Sequence, residues 1–216
     1  MPLTLYMHPL SSYCHKALTA LYENGTPFTP HVVDLMDAEQ NAAFKQIWPI
    51  GKFPVLRDEA NGRTVPESSV IIEYLALNYP GPVKLVPDDP QAALEVRAKD
   101  RFYDLHVHTH LQKIVLDRIR AADKKDPAGV EQARAALQTA LAMIDKEMAH
   151  NTWATGEDFS MADCAAAPPL FYVDMVAMPL AGTYGNVAAY LERLKQRPSY
   201  ARALKEAEPF LQYVPR

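Results

Sequence analysis

Short apolar runs alternate with helical periodicities in the first third of the chain, and helical periodicity alone continues afterwards. Leu3-Thr4-Leu5-Tyr6-Met7 is apolar and closed by His8-Pro9, which predicts a buried strand. Cys14, Ala17, Leu18, Leu21 and Tyr22 then recur at helical spacing, and Asn24-Gly25 supplies the stop. Residues 28–33 predict a second strand, followed by a helical or irregular region that includes 38–48. Residues 54–57 and 63–65 predict two strands joined by a turn at Asn61-Gly62. Residues 68–78 predict a helix with Ile71, Ile72, Leu75 and Tyr79 on one face. Pro80-Gly81-Pro82, Pro87 and Pro90 interrupt the pattern. Beyond them, residues 91 to about 119 predict one long helix. Val130, Ala133, Leu137, Leu141, Ile144 and Met148 form an apolar stripe at 3.6 periodicity. Ser160 with Asp163 predicts a capped helix start, and Val187, Tyr190, Leu191 and Leu194 a further helix stopped before Pro198.

The order βαβαββα puts a crossover helix between the first two strands, hence a parallel pair, and makes the last two strands a hairpin. The predicted class is α+β: a thioredoxin-like domain over residues 1–80, a linker over 81–90, and an all-helical domain over 91–216. The 49% hydrophobic and 22% charged residues suit a sizeable core. The net charge of -4, with both signs mixed along the chain, argues against a nucleic-acid partner. No apolar run approaches the ~18 residues that span a bilayer, and no cationic segment leads into an apolar stretch as in a signal peptide. Two distant cysteines, Cys14 and Cys164, make no disulfide framework. A cytoplasmic location is expected.

Three motifs carry chemistry. Pro9-Leu10-Ser11-Ser12-Tyr13-Cys14 lies between the first strand and the first helix. Such a loop collects unpaired helix N–H groups and the positive dipole end, where a thiolate is stabilised. A free thiol of pKa near ~8.5 is only roughly 3% ionised at pH 7. Lowering it by about two units takes about 2.7 kcal/mol, within reach of one hydroxyl hydrogen bond and a helix end. Ser11 and then Ser12 are the candidate donors, with Tyr13 behind them; from the loop alone, either serine serves equally well as an N-cap. The run also has the form of Cys-x-x-Cys with Ser11 in place of the first cysteine, and serine cannot form a mixed disulfide. Cys14 reads as a small core residue. Phe53-Pro54 opens a strand at a point where proline removes a ladder hydrogen bond, which leaves backbone to meet a peptide ligand if the bond is cis. Glu67-Ser68 opens a helix: Ser68 caps it and offers N–H to a carboxylate, and Glu67 accepts from an ammonium.

In order and spacing these motifs resemble the glutathione transferases, serine-type and bacterial-like, over nearly the whole chain. The resemblance implies glutathione as co-substrate, with Ser11 on its sulfur. Gly51-Lys52-Phe53-Pro54-Val55-Leu56 is similar to the segment whose cis-proline lets the preceding residue hold the cysteinyl unit. That gives Phe53 and Pro54 this role and gives Lys52 the glycyl carboxylate; a solvated surface lysine is the plain alternative. Pro66-Glu67-Ser68 fits the segment that holds the γ-glutamyl end. Gly156-x-x-Phe159-Ser160-x-x-Asp163 looks like the family's structural capping segment.

By the same resemblance, the first bundle helix lines a pocket for a small hydrophobic electrophile, so Tyr103, His106 and His110 are candidate substrate contacts. Asp100 and Asp104 would approach the partner's glutathione in a C2 homodimer. His106 and His110 share a helix face, but nothing completes a ligand set, so no metal is expected. The expected activity is glutathione conjugation of an electrophile. The alternatives are a glutathione-dependent isomerase or dehalogenase, and a non-catalytic glutathione-binding regulatory protein. The zeta-type isomerases carry Ser-Ser-Cys-Ser where this chain has Tyr13 and Cys14.

Overall fold

The structure, a computed structural model, describes residues 2–215, which form two compact units. The first comprises residues 2–86 together with 198–211. Its strands are β1 (Leu3–Met7), β2 (Thr29–Val32), β3 (Val55–Asp58) and β4 (Arg63–Pro66). They lie in the order β2-β1-β3-β4. β1 and β2 run parallel, as the crossover helix α1 (Ser12–Glu23) requires, and the other pairs are antiparallel. On β1, Leu3, Leu5 and Met7 are buried in period-two alternation. Every residue of α1 from Cys14 to Leu21 is buried, and the helix is covered by α3 (Ser68–Asn78) and α9 (Pro198–Ala207). α2 (Ala38–Ile47) is the exposed one, anchored by buried Phe44.

At the hairpin end of this unit, fully buried Asp58 accepts from Tyr79 at 2.6 Å, Tyr74 at 2.7 Å, and the Asn61 amide and side chain at 3.2 and 2.8 Å. Burial pushes its pKa up, but these bonds to the ionised form outweigh burial and hold it at about 2.

The second unit comprises residues 87–197 and 212–215. α4 (Pro90–Phe102) runs through a π-helical turn at Tyr103–His108 into α5 (Thr109–Arg118). α6 (Pro127–Met148), α7 (Met161–Tyr172) and α8 (Gly185–Gln196) complete it. The long helix expected over 91–119 is therefore continuous but contains an inserted residue: Thr109 N–H and its hydroxyl both reach the Asp104 carbonyl, five residues back. A search for 3.6 periodicity does not register one extra residue.

Residues 198–211, expected within the helical domain, pack with the first unit. α9 itself went unforeseen, although Pro198 sits at its first position, where proline's missing N–H costs nothing. Tyr200 is buried against the His15 ring at 6.1 Å, Ser199 donates to Glu23 at 2.6 Å, and Tyr22 donates to Glu206 at 2.6 Å. Among the described residues no helix is long and apolar enough to cross a membrane.

Candidate functional site

The sheet register decides where the three motifs go. Tyr6 pairs with Val55, and Val55 pairs with Pro66. The C-terminal end of β1, the N-terminal end of β3 and the C-terminal end of β4 therefore lie side by side. The segments continuing from them are 8–11, 52–54 and 67–68, so the loops carrying Ser11, Phe53-Pro54 and Glu67-Ser68 emerge at one end of the sheet.

The first loop is held tightly. Ser11 N–H donates to the His8 carbonyl at 3.0 Å, Leu10 N–H to His8 Nδ1 at 3.2 Å, and His8 N–H to Cys14 Sγ at 3.5 Å. Buried His15 donates from Nε2 to the Pro9 carbonyl at 2.5 Å. Burial lowers the His15 pKa to about 4, against smaller raising effects of Pro9 and Glu206, so the ring is neutral. Ser11 is the N-cap of α1, with extended backbone, and its half-buried hydroxyl accepts from Cys14 N–H at 3.3 Å. The hydroxyl also bonds the Cys14 side chain. Ser12 is the first helical residue. Burial raises the Cys14 thiol to about 12, against the hydrogen bonds from Ser11 and His8, which makes it an inert core group.

The Phe53–Pro54 bond is cis. Pro54 is buried, and half-buried Phe53 lies just outside the β ladder, packed on Val33, Phe44 and Val55. Its ring stacks on His8 with centroids 6.0 Å apart, which joins this loop to the serine loop. Burial lowers the His8 pKa, opposed by the charge of Asp34. Lys52 is exposed.

Glu67 is the residue at the α3 N-cap, with φ 69° and ψ 118°, a conformation that side chains avoid. It makes no side-chain cap bond, so the expectation that Ser68 caps the helix is corrected: Ser68 is the first helical residue, 5% exposed. Its N–H belongs to the first turn, where helix N–H groups lack intrahelical partners. Ser69, next in line, accepts from the Nζ of Lys16 at 2.8 Å.

In the second unit Tyr103 is 1% exposed, and it shares a hydrogen bond with buried Tyr190. The substrate-contact expectation for Tyr103 is therefore corrected: its ring is core, turned inward on the same helix whose other face is wet. His106 is exposed beside Phe102, with centroids 5.2 Å apart, and His110 is half-buried. Burial, then the charge of His106, lowers the His110 pKa. Asp100 and Asp104, expected to reach a partner's ligand, are buried within the single chain, with Arg101 3.2 Å from Asp104. Among the described residues no group of three His, Cys, Asp or Glu side chains could hold a metal ion.

Sequence reasoning missed His8, His15 and Lys16. His8 carried a signal, as a polar residue at the end of an apolar strand. Lys16 carried none, since a lysine among Cys14, Ala17 and Leu18 reads as the solvated face of the helix.

Residues 5–83 match the family model for the glutathione S-transferase N-terminal domain, and residues 127–193 match that for the C-terminal domain. A glutathione S-transferase-like protein LUC7 from Fusarium sp is 30% identical over 79% of this chain and 77% of its own. The chain belongs to the glutathione S-transferase family. A glutathione S-transferase from Methylobacillus flagellatus, solved with gsh bound, superposes with TM-score 0.85 at 26% identity, covering 93% of this chain and 98% of that one. Not every relative bears a transferase name: a stringent starvation protein A homolog from Histophilus somni is 24% identical over 96% of this chain and 92% of its own. The family's thioredoxin-like domain and helical domain correspond to the α+β class expected from the sequence.

Proposed function

We propose that the protein binds glutathione at the shared sheet end and transfers it to a small hydrophobic electrophile. The observation that carries this is the convergence of the three loops, one of them presenting a serine hydroxyl at the N-terminus of α1. In this reading Ser11 donates to the ligand's sulfur, and with the α1 N-terminus lowers the thiol pKa; Ser12 is the alternative donor. The thiol proton leaves to solvent, and the thiolate attacks an electrophilic carbon, expelling halide to solvent in substitution or giving an enolate that takes a proton from water in conjugate addition. Ser11 stabilises the nucleophile and forms no bond to carbon. Phe53 holds the cysteinyl backbone beside Pro54, and Lys52 takes the glycyl carboxylate. Glu67 accepts from the γ-glutamyl ammonium, and the Ser68 N–H donates to its carboxylate. His106 and His110 are the side chains proposed to face the electrophile. A cytoplasmic homodimer completes the proposal.

The name borne by the stringent starvation relative keeps a second reading in play, a glutathione-binding protein without turnover; an isomerase or dehalogenase would use the same binding residues. Calorimetric titration with glutathione, followed by turnover with aryl halides, enones and alkyl halides, tests all of these. Saturable binding with conjugate formation is expected. Absence of binding at millimolar glutathione defeats the proposal, and binding without conjugation of any substrate leaves the second reading.

A further inference from the structure

Between His8 and α1 the backbone offers two donors, because Pro9 has no N–H, and both end on His8 itself. Leu10 N–H reaches its Nδ1 at 3.2 Å, and Ser11 N–H reaches its carbonyl at 3.0 Å. The N–H of His8 runs on to Cys14 Sγ at 3.5 Å, in the first turn of α1. A backbone N–H pointing at Nδ1 makes that nitrogen the acceptor, so the ring proton sits on Nε2. Burial lowers the His8 pKa, against the charge of Asp34, and keeps the ring in this neutral form at neutral pH. The same ring meets two others from distant parts of the chain. It stacks on Phe53 with centroids 6.0 Å apart and planes at 19°, and it meets Phe210 edge-on at 5.6 Å and 72°. All three rings are half-buried.

The loop alone would need only an acceptor for the N–H two residues on, which Asn or Asp supplies. Packing on Phe53 alone would need only an apolar ring, which Phe supplies. Histidine supplies both from one side chain. The two loops it joins are the ones proposed to hold one cysteinyl unit, Ser11 at the sulfur and Phe53 at the backbone. Reacting groups tolerate little misplacement: an error of about 1 Å can cost about 10²-fold in rate. We propose that His8 is a positioning residue that sets the Ser11 hydroxyl in register with the Phe53 backbone, so that both act on the same cysteinyl unit. This rests on the glutathione reading above and deepens it. His8 touches no ligand atom. It acts through Nδ1 on the serine loop and through its ring face on Phe53, with Phe210 bracing the ring from the side.

The test separates the two contacts in the full chain. His8→Phe keeps a ring for Phe53 and removes the acceptor; His8→Asn keeps an acceptor for Leu10 N–H and removes the ring. The thiol pKa of bound glutathione is read from the ultraviolet absorbance of its thiolate, beside kcat and the glutathione Kd. Each variant is expected to raise the bound thiol pKa by about one unit and to lower kcat about tenfold, with Kd within about threefold of the parent. His8→Gln, which carries an amide at the Nε2 position and lacks both contacts, is expected to fall at least as far. Should one variant not fold, the others carry the test. A bound thiol pKa and kcat per folded molecule that match the parent in the folded variants would mean a merely structural histidine and overturn the proposal. A weakened Kd with parent-like thiol pKa would place His8 in binding alone, and rescue by His8→Gln would make Nε2 the working atom; either also overturns it. A parent that binds no glutathione removes the underlying reading itself, a result visible before any variant is made.

Discussion

Ser11 and Ser160 both stand at a helix N-cap with extended backbone, φ -77° at one and -141° at the other, and they commit their hydroxyls differently. At α7 the cap is closed. Ser160 Oγ accepts from Ala162 N–H at 3.3 Å and donates to Asp163 Oδ2 at 3.1 Å. Asp163 reaches back to the Ser160 N–H at 2.8 Å, and also accepts from Ala154 N–H at 2.8 Å and Tyr190 at 2.6 Å. At α1 the position that would reciprocate, three residues on, is Cys14, which cannot accept as a carboxylate does. Ser11 therefore accepts from the Cys14 N–H and bonds the weakly accepting Cys14 thiol instead of a carboxylate. In the proposed function the incomplete box is what lets the Ser11 hydroxyl turn to a ligand, whereas the completed box holds Ser160 in a structural cap.

The closed cap should give the largest effect. Asp163→Ala would strand four donors in a buried place, the Tyr190 and Ser160 hydroxyls and the Ser160 and Ala154 N–H groups, and is expected to cost about 3–5 kcal/mol of unfolding free energy. Urea denaturation measures it, and a loss under about 1 kcal/mol would show the network to be dispensable. Burial holds the Asp163 pKa up despite these bonds, the reverse of Asp58, where the bonds win.

That contrast also bears on what could be read before the fold was known. Ser160 with Asp163 was legible because a capping box is local: three residues of spacing define it. The β1, α1 and α3 boundaries were legible for the same reason, apolar period and a stop within one window. Ser11, Phe53-Pro54 and Glu67-Ser68 could be picked out one by one, but their meeting depends on strand register, which no window contains. Lys16 was passed over and Tyr103 misread because burial of one helix face depends on a second helix arriving from elsewhere, α3 for the first and α8 for the second.

The loop behind the open cap should respond to acid. His15 has a folded pKa of about 4, below the ordinary 6.5, so the unfolded chain binds more protons between those values. The stability it contributes is complete above about pH 6.5 and declines as pH falls toward 4, by about 3 kcal/mol over the window. Asp58 acts at lower pH, its contribution present above its ordinary value and lost as pH falls toward 2. His15→Phe should flatten the first decline and leave the second. An unchanged slope of denaturation free energy between pH 6.5 and 4 would remove His15 as its cause.

Removing the open hydroxyl should affect rate more than fold. Ser11→Ala is expected to lower kcat/KM about 10²-fold, equivalent to about 2.7 kcal/mol, with glutathione affinity changed little and stability reduced by about 1 kcal/mol for the lost cap. Ser160→Ala should show the opposite split, with stability lost and kcat/KM per folded molecule kept. The pH–rate profile sharpens the comparison. If the kinetic thiol pKa is the same with and without the Ser11 hydroxyl, the donor is Ser12, and the open-cap argument moves one residue along.

The smallest expected effect concerns the third cap, Glu67, where no side-chain bond is made and the backbone itself is out of place at φ 69°. A β-carbon disfavours that region and glycine does not, so Glu67→Gly should relieve strain of about 1–3 kcal/mol while adding chain entropy of about 0.5–1 kcal/mol to the unfolded state. The net expectation is a gain of about 1 kcal/mol in stability together with weaker glutathione binding, since the carboxylate proposed to meet the ligand's ammonium is gone. Glu67→Ala separates the two effects: it loses the carboxylate but keeps the strain, so it should match glycine in binding and the parent in stability. If glycine is no more stable than alanine, the backbone at this cap is not strained, and the geometry at Glu67 owes nothing to the ligand it is proposed to hold.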